Sequence, residues 1–307
     1  MSVRFVFVTP AELGPYVEGL RAIERATEYP IGDGADTFTI DHGPQYHPFF
    51  SSLGHDPRFL LALDGDRVVG GVVGMYRDIR IRGRMVKAVY GADWKLAPEH
   101  RGLGGARRMM TWGMSRIFSD PSMRAWRYGY VAAMRGAHGD VMRAAKGLHP
   151  GKLAKAAATL ALYFVEPSRL AALSLEGAPA TPDPESGVDL SYVPSALVQP
   201  PGIVSTAGLK DLRLKSTGRP WPLMHLPYGP ARWLPTWGAY LKTCGESLVS
   251  THPTSIACFA IDLRLRTHIE WLASKGIDQG AACTVYALDL TLRAGRAAWL
   301  HLATSEI

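Results

Sequence analysis

The stretch Val89–Met114, VYGADWKLAPEHRGLGGARRMMTWGM, decides how this 307-residue chain is read. Val89–Leu96 has the pattern of a strand, and Pro98, which lacks a backbone N–H, ends it. Arg101-Gly102-Leu103-Gly104-Gly105-Ala106 follows, and an apolar, Met-rich helix is expected at once, from about Gly104 to Phe118. Strand, glycine turn and immediate helix together make an anion site. Glycines let several amides turn inward without a clashing Cβ, and the helix aims its unpaired N-terminal amides at the same point. Arg101, Arg107 and Arg108 can add charge-assisted bonds to phosphate oxygens.

Two familiar phosphate loops do not fit. A Walker A loop requires GKS or GKT after its second glycine, which is absent here. A dinucleotide fingerprint requires a third glycine where Arg107 stands and an early position in a βαβ unit.

Outward from the motif the pattern is strand-rich. Val3–Val8 reads as a first strand, followed by a helix over about Ala11–Arg25. Tyr29–Asp56, rich in Gly, Asp, His and aromatics, has room for a short helix, but its composition suits a long substrate-facing loop. Arg58–Asp64 and Arg67–Tyr76 flank a tight turn at Gly65-Asp66, and Ile79–Ile81 and Met85–Tyr90 flank another at Gly83. After the motif come a strand at Ala125–Ala133, a short helix at Asp140–Lys146 and a strand at Thr159–Val165.

The motif resembles the pyrophosphate-binding [RQ]-x-x-G-x-[GA] loop of the GNAT N-acetyltransferase superfamily, with Arg101, Gly104 and Ala106 in the three fixed positions. The preceding Leu96, Pro98, Glu99 and His100 look like that family's strand end, and the resemblance covers roughly residues 3 to 166. It implies a mixed α+β fold, with a central, twisted, mostly antiparallel sheet flanked by helices. The donor would be acetyl-CoA or another acyl-CoA, and the acceptor a small-molecule or peptide amine. The strand Val89–Leu96 would splay from Trp126–Ala132, and the pantetheine arm would fill the wedge against the main chain of Trp94, Lys95, Leu96 and Ala97. The diphosphate would sit on Arg101, Gly102, Leu103, Gly104, Gly105, Ala106 and Arg107.

A protonated amine needs a base or a water chain before it can attack a thioester. Many family members place a carboxylate on the strand before the phosphate loop, and Asp93 is the candidate here, its alternative being a hydrogen-bonded structural aspartate. The family's usual tyrosine acid lies in a closing-helix pattern whose nearest match, Met142–Leu148, has Arg143 in that position. Tyr130 is taken as the substitute acid, with Tyr128 and Tyr163 as alternatives.

The Ala/Pro/Asp/Ser/Gly-rich segment 174–187 reads as a linker between a GNAT-like acyl-CoA-binding domain (1–173) and an α+β domain (188–307). In the latter, a helix at Ala231–Ser247, a strand at Ile256–Leu263, a helix at Thr267–Lys275 and a strand at Ala282–Leu290 repeat the element order that follows the motif. That half is read as a degenerate GNAT-like copy or as an unrelated α+β domain. It supplies Trp221, Tyr228, Trp233 and Trp237 to a substrate pocket or a packing interface.

Composition excludes other classes. The net charge of +7 is dispersed, its densest cluster being Arg77, Arg80, Arg82, Arg84 and Lys87. An anionic cofactor explains it as well as nucleic acid would, so no nucleic-acid partner is expected. Three cysteines without CxxC spacing argue against a disulfide framework or a zinc site. His42, His47 and His55 match no ligand spacing, so no metal is expected. With no signal peptide or membrane span in the sequence, a cytoplasmic protein is expected, with a homodimer left open. Two alternatives remain at this stage. One is an acyl carrier protein as donor, docked on the Arg77–Lys87 cluster; the other is a non-catalytic acyl-CoA sensor.

Overall fold

The computed structural model describes residues 3–31, 36–101, 104–119, 121, 126–136, 139–140, 154–191, 202–228 and 234–307. In chain order the first elements are β1 (Val3–Val8), α1 (Val17–Arg25), β2 (Tyr29–Ile31), β3 (Asp36–Asp41), α2 (Pro48–Leu53) and β4 (His55–Asp64). Then come β5 (Arg67–Ile81), β6 (Arg84–Leu96), α3 (Gly105–Ser119), β7 (Tyr128–Gly136), β8 (Gly139–Asp140) and β9 (Lys155–Val165). The rest are α4 (Pro167–Ala171), β10 (Val188–Asp189), β11 (Val204–Ser205), β12 (Asp211–Leu214), β13 (Leu223–His225), α5 (Trp237–Thr251), β14 (Ile256–Asp262), α6 (Arg266–Ser274), β15 (Ala281–Asp289) and β16 (Leu300–His301).

The two hairpins expected around residues 65 and 83 are present, and they are longer than the sequence suggested. Asp64 pairs with Arg67 across Gly65-Asp66, and Ile81 pairs with Arg84 across Arg82-Gly83. Both residues of the second turn have positive φ (46° and 75°), the twist that a two-residue hairpin prefers. Ile79–Ile81 therefore continues β5 and Met85–Tyr90 continues into β6, since only two residues are needed to reverse the chain.

Two expectations are corrected. The stretch Tyr29–Asp56 is not one long loop. It holds β2, β3 and α2, and β3 pairs with β12 far along the chain (Asp211↔Asp41 to Leu214↔Phe38), a partner no local signal announces. The first helix begins at Val17, not near Ala11, because Pro10–Glu12 and Gly14–Tyr16 form separate 3-10 turns, each with a proline near its start. The short helix expected at Asp140–Lys146 lies outside the described residues apart from Asp140, which belongs to β8.

One sheet runs through both halves of the chain, in the order β1-β4-β5-β6-β7-β15-β9-β14-β13-β11. Its centre is reciprocal. β15, from the second half, lies between β7 and β9, while β9 carries β14 on its other edge. On either side of this centre is a parallel pair whose strands are joined through a helix: β6 and β7 through α3, β13 and β14 through α5. The helices cover opposite faces of the first half. Leu60 meets α3 at Gly113 and Leu61 lies beside Leu20 of α1 at Gly71, and consecutive strand residues point to opposite faces. In the second half α5 approaches α4 so closely that a Cβ on Gly245 would meet Ala171 N at 2.4 Å, which makes glycine obligatory there.

Candidate acyl-donor site

β6 is the strand that makes the site. Along β5 its register runs Gly71↔Lys95 and then Val73↔Ala92, so Asp93 and Trp94 together oppose Val72. This is a β-bulge, and Asp93 takes φ +55°, a left-handed conformation that aspartate tolerates better than most residues. A bulge bends its strand. On the other side β6 pairs with β7 over only four positions, Ala88↔Tyr128 to Gly91↔Val131. Beyond Gly91 the edge of β6 that faces β7 has no strand partner among the described residues, while β7 continues against β15. The expected splay is present, and it starts one residue before the bulge.

The open end of the splay leads to α3. Pro98–His100 forms a 3-10 turn, Gly104 has φ +72°, and α3 starts at Gly105. A Cβ on Gly104 would meet nothing within 4 Å, so among the described residues nothing crowds that position. The first hydrogen bond of the helix runs from Arg108 N to Gly104 O at 3.0 Å, which leaves the amides of Gly105, Ala106 and Arg107 without an intrahelical acceptor. Arg107 and Arg108 are exposed beside them. The Arg101 guanidinium instead folds back, donating to Leu96 O (2.9 Å) and to Thr27 Oγ1 (3.3 Å), so it braces the strand end. Gly102 and Leu103 lie outside the described residues. Within the splay the indole N–H of Trp94 is buried and has no acceptor among the described residues.

Behind the bulge, on the α1 face, is a buried ionic network. The Lys95 ammonium lies 2.5 Å from Asp93 Oδ1 and 2.9 Å from Glu24 Oε1, and Tyr46 donates to Asp93 Oδ2. Glu24 also receives the backbone N–H of His42 (3.0 Å) and lies 2.5 Å from His42 Nδ1. Burial pushes the Asp93 carboxyl up, but Lys95, then His42, and the hydrogen bonds from Lys95 and Tyr46 outweigh it and bring its pKa to about 2. The same carboxylate partnership holds Lys95 well above its usual value against the opposing effect of burial. Burial and the neighbouring Asp93 raise Tyr46, which stays neutral. Glu24, His42 and Asp93 are close enough to hold a cation, and the ammonium of Lys95 is the cation that this carboxylate pair grips. His47 and His55 are outside this group.

The network sorts the expected site residues. Lys95 turns its side chain into the α1 face, so only its main chain is left for the splay. Tyr130 sits within the zipped part of β6 and β7, opposite Tyr90 and stacked on it at 4.7 Å, with its hydroxyl towards Leu190 O (3.4 Å). Sequence reasoning missed Glu24, His42, Tyr46 and the side-chain role of Lys95. The only available signal was the concentration of His, Asp and Tyr in residues 29–56. The basic cluster is also divided: Arg77 is buried against Glu306 at 2.5 Å and Arg80 pairs with Glu185, leaving Arg82, Arg84 and Lys87 exposed.

In the second half the helix that joins the parallel pair, α5, is capped. Thr236 caps α5, its hydroxyl oxygen accepting from Ala239 N at 3.1 Å. Tyr228 and Trp237 are buried in the core of this half and Trp221 packs on Phe38 and Phe164; Trp233 lies outside the described residues. Among the described residues no helix is long and apolar enough to cross a membrane.

Residues 35–135 match the family model of the acetyltransferase (GNAT) domain. Over these residues the chain is similar to the GNAT acetyltransferases. The matched span includes the bulge, the splay and the start of α3. No curated protein sequence matches the chain. In fold the chain is similar to the N-myristoyltransferase of Saccharomyces cerevisiae with bound myristoyl-CoA, with a TM-score of 0.54 at 7% identity, over 94% of this chain and 79% of that one. A second structure of that enzyme with bound myristoyl-CoA gives 0.50 at 9% identity, over 92% and 82%. A tandem GNAT protein from the clavulanic acid biosynthesis pathway gives 0.49 at 11% identity, over 94% and 99%. At such identities the likeness is one of fold.

Proposed function

We propose that this GNAT protein is an acyl-CoA-dependent N-acyltransferase that moves an acyl group from a coenzyme A thioester to an amine. The observation that carries this reading is the four-pair contact between β6 and β7, followed by a splay that opens towards the start of α3. A pantetheine arm, with its amides, can hydrogen bond to the free edge of β6 at Trp94–Ala97, and the buried indole N–H of Trp94 supplies one more donor there. The amides of Gly105, Ala106 and Arg107, with Arg107 and Arg108 beside them, suit the diphosphate.

In the reaction, the nitrogen lone pair of the neutral amine attacks the thioester carbonyl. The C–S bond of the tetrahedral intermediate then breaks, the thiolate departs, and the nitrogen loses a proton. A carboxyl with pKa about 2 is ionised at any working pH but is a poor proton acceptor, so Asp93 is read as the group that fixes Tyr46 and the bulge while water takes the amine proton. Tyr46, at the bulge and kept neutral, replaces Tyr130 as the candidate acid for the thiolate.

The second half is read as a copy of the same plan without a coenzyme site, because the order of parallel pairs about the centre of the sheet is palindromic and Thr236 has capped its helix. A carrier-protein donor is disfavoured by position. The exposed Arg82 and Arg84 lie at the hairpin turn, at the opposite end of the 13-residue β6 from the phosphate loop, roughly 40 Å away at about 3.3 Å per residue.

The test is calorimetric titration with coenzyme A, followed by thiol release from acetyl-CoA with a panel of amines. The wild-type chain is expected to bind coenzyme A, and Gly104→Glu, which places a carboxylate in front of the helix, to weaken binding at least tenfold. Unchanged binding in that variant rules out the phosphate assignment, and binding without turnover by any amine identifies a sensor.

A further inference from the structure

A void of about 310 Å³ lies on the α3 face of the sheet, lined almost wholly by apolar groups. Its floor spans the strands on both sides of the splay apex. Gly74 of β5, Gly91 of β6 and Val131 of β7 line it, and they are successive neighbours: Gly74 pairs with Gly91, and Gly91 with Val131 in the last pair before the splay. Its roof is α3, through Met110, Gly113 and Met114.

Gly74 keeps this floor low, while a Cβ on the facing Gly91 would meet Val131 Cγ1 at 2.9 Å. A Cβ on Gly74 would meet no atom within 4 Å, so the space above it is empty. Interiors of proteins are normally packed to crystal density, and a sheet face under a helix is ordinarily filled by Val, Ile or Leu. Here the sequence places glycine where a filled core would need a side chain. The void has almost no polar lining, so it does not suit the amine acceptor or water.

We propose that this void is an acyl-chain subsite, and that the donor is a medium-chain acyl-CoA rather than acetyl-CoA alone. The proposal rests on the coenzyme reading above and adds the length of the acyl group. A thioester at the splay apex lies at Gly91 and Val131, which border both the splay and the void, so the chain passes from one into the other. A cavity of about 150 Å³ accommodates benzene, about 25 Å³ per carbon, so the void holds on the order of twelve carbons.

The experiment is calorimetric binding of coenzyme A and of its acetyl, butanoyl, octanoyl, dodecanoyl and hexadecanoyl thioesters to the full chain. Affinity is expected to rise by up to about fourfold per added methylene and to level off between about eight and twelve carbons. Gly74→Leu fills part of the void. It should bring the plateau to a chain about four carbons shorter, while coenzyme A itself still binds. Should Gly74→Leu not fold, the wild-type series decides alone. Coenzyme A binding with affinities flat from acetyl to dodecanoyl overturns the subsite and leaves the coenzyme reading standing. Failure of coenzyme A and every thioester to bind overturns both.

Discussion

Replacement of Lys95 by methionine tests the ionic network most directly. In the wild-type chain Lys95, His42 and Tyr46 bring the Asp93 carboxyl down to about 2, against about 3.9 for a free aspartate. Its folded pKa is depressed, so its stabilisation is fully present above about pH 4 and is lost as the pH falls through 2. At about 1.4 kcal/mol per pKa unit, the shift corresponds to about 2 kcal/mol. Lys95→Met keeps most of the length of the side chain but removes the charge that Asp93 and Glu24 share at 2.5 and 2.9 Å. Two buried carboxylates are then left facing each other, and loss of one partner from a buried ionic group costs about 3–5 kcal/mol at pH 7.

The pH dependence must also reverse. Without the ammonium, burial and mutual repulsion raise the folded carboxyl pKa values above those of the unfolded chain. The variant therefore binds extra protons on folding, and its stability deficit shrinks as the pH falls from 7 towards 4. Urea unfolding followed by circular dichroism at pH 3 to 8 measures both effects. The additional change Glu24→Gln should restore part of the lost stability by removing one of the two charges. A Lys95→Met chain within 1 kcal/mol of wild type at pH 7, with the wild-type slope against pH, would refute the reasoning.

Three further outcomes are expected. Tyr46→Phe should lower the rate of thiol release about a hundredfold with coenzyme A affinity within twofold of wild type, on the order of a lost acid catalyst. The opposite result, loss in Tyr130→Phe only, would return the acid role to Tyr130. Glu306→Gln leaves the buried Arg77 guanidinium without its counter-charge and should lower stability by about 3–5 kcal/mol in the same urea assay; a change below 1 kcal/mol would show that the pair contributes little. Burial pushes the thiols of Cys244 and Cys258 up to about 12, so neither should react with a thiol reagent at pH 8 until denaturant is added, and labelling of either in the native chain would contradict their placement.

Much of the first half was legible because its signals are local. The Gly65-Asp66 and Arg82-Gly83 turns fix two hairpins within a few residues, and the Pro98-to-Gly105 passage determines where a strand stops and a helix starts. The turn at Gly104 was legible for the same reason: a left-handed residue before a helix involves its immediate neighbours alone. The site was less legible. Asp93 was picked out from its position on the strand, but its ionisation depends on Lys95, Tyr46 and His42, the last of them 51 residues earlier in the chain.

The sequence by itself determined the α+β class, the strand–turn–helix anion motif and the resemblance that followed from it, because periodicity and turn chemistry act over a few residues. Only the tertiary structure decided that β15 enters the sheet between β7 and β9, that β3 pairs with β12, and that β6 parts from β7 after Gly91. Those outcomes depend on which distant strand edge is available and where a bulge turns it away, and neither is encoded in any short stretch of the chain. The Glu24–Lys95–Asp93 network and the void over Gly74 and Gly91 have the same origin, since each forms only where elements remote in sequence meet.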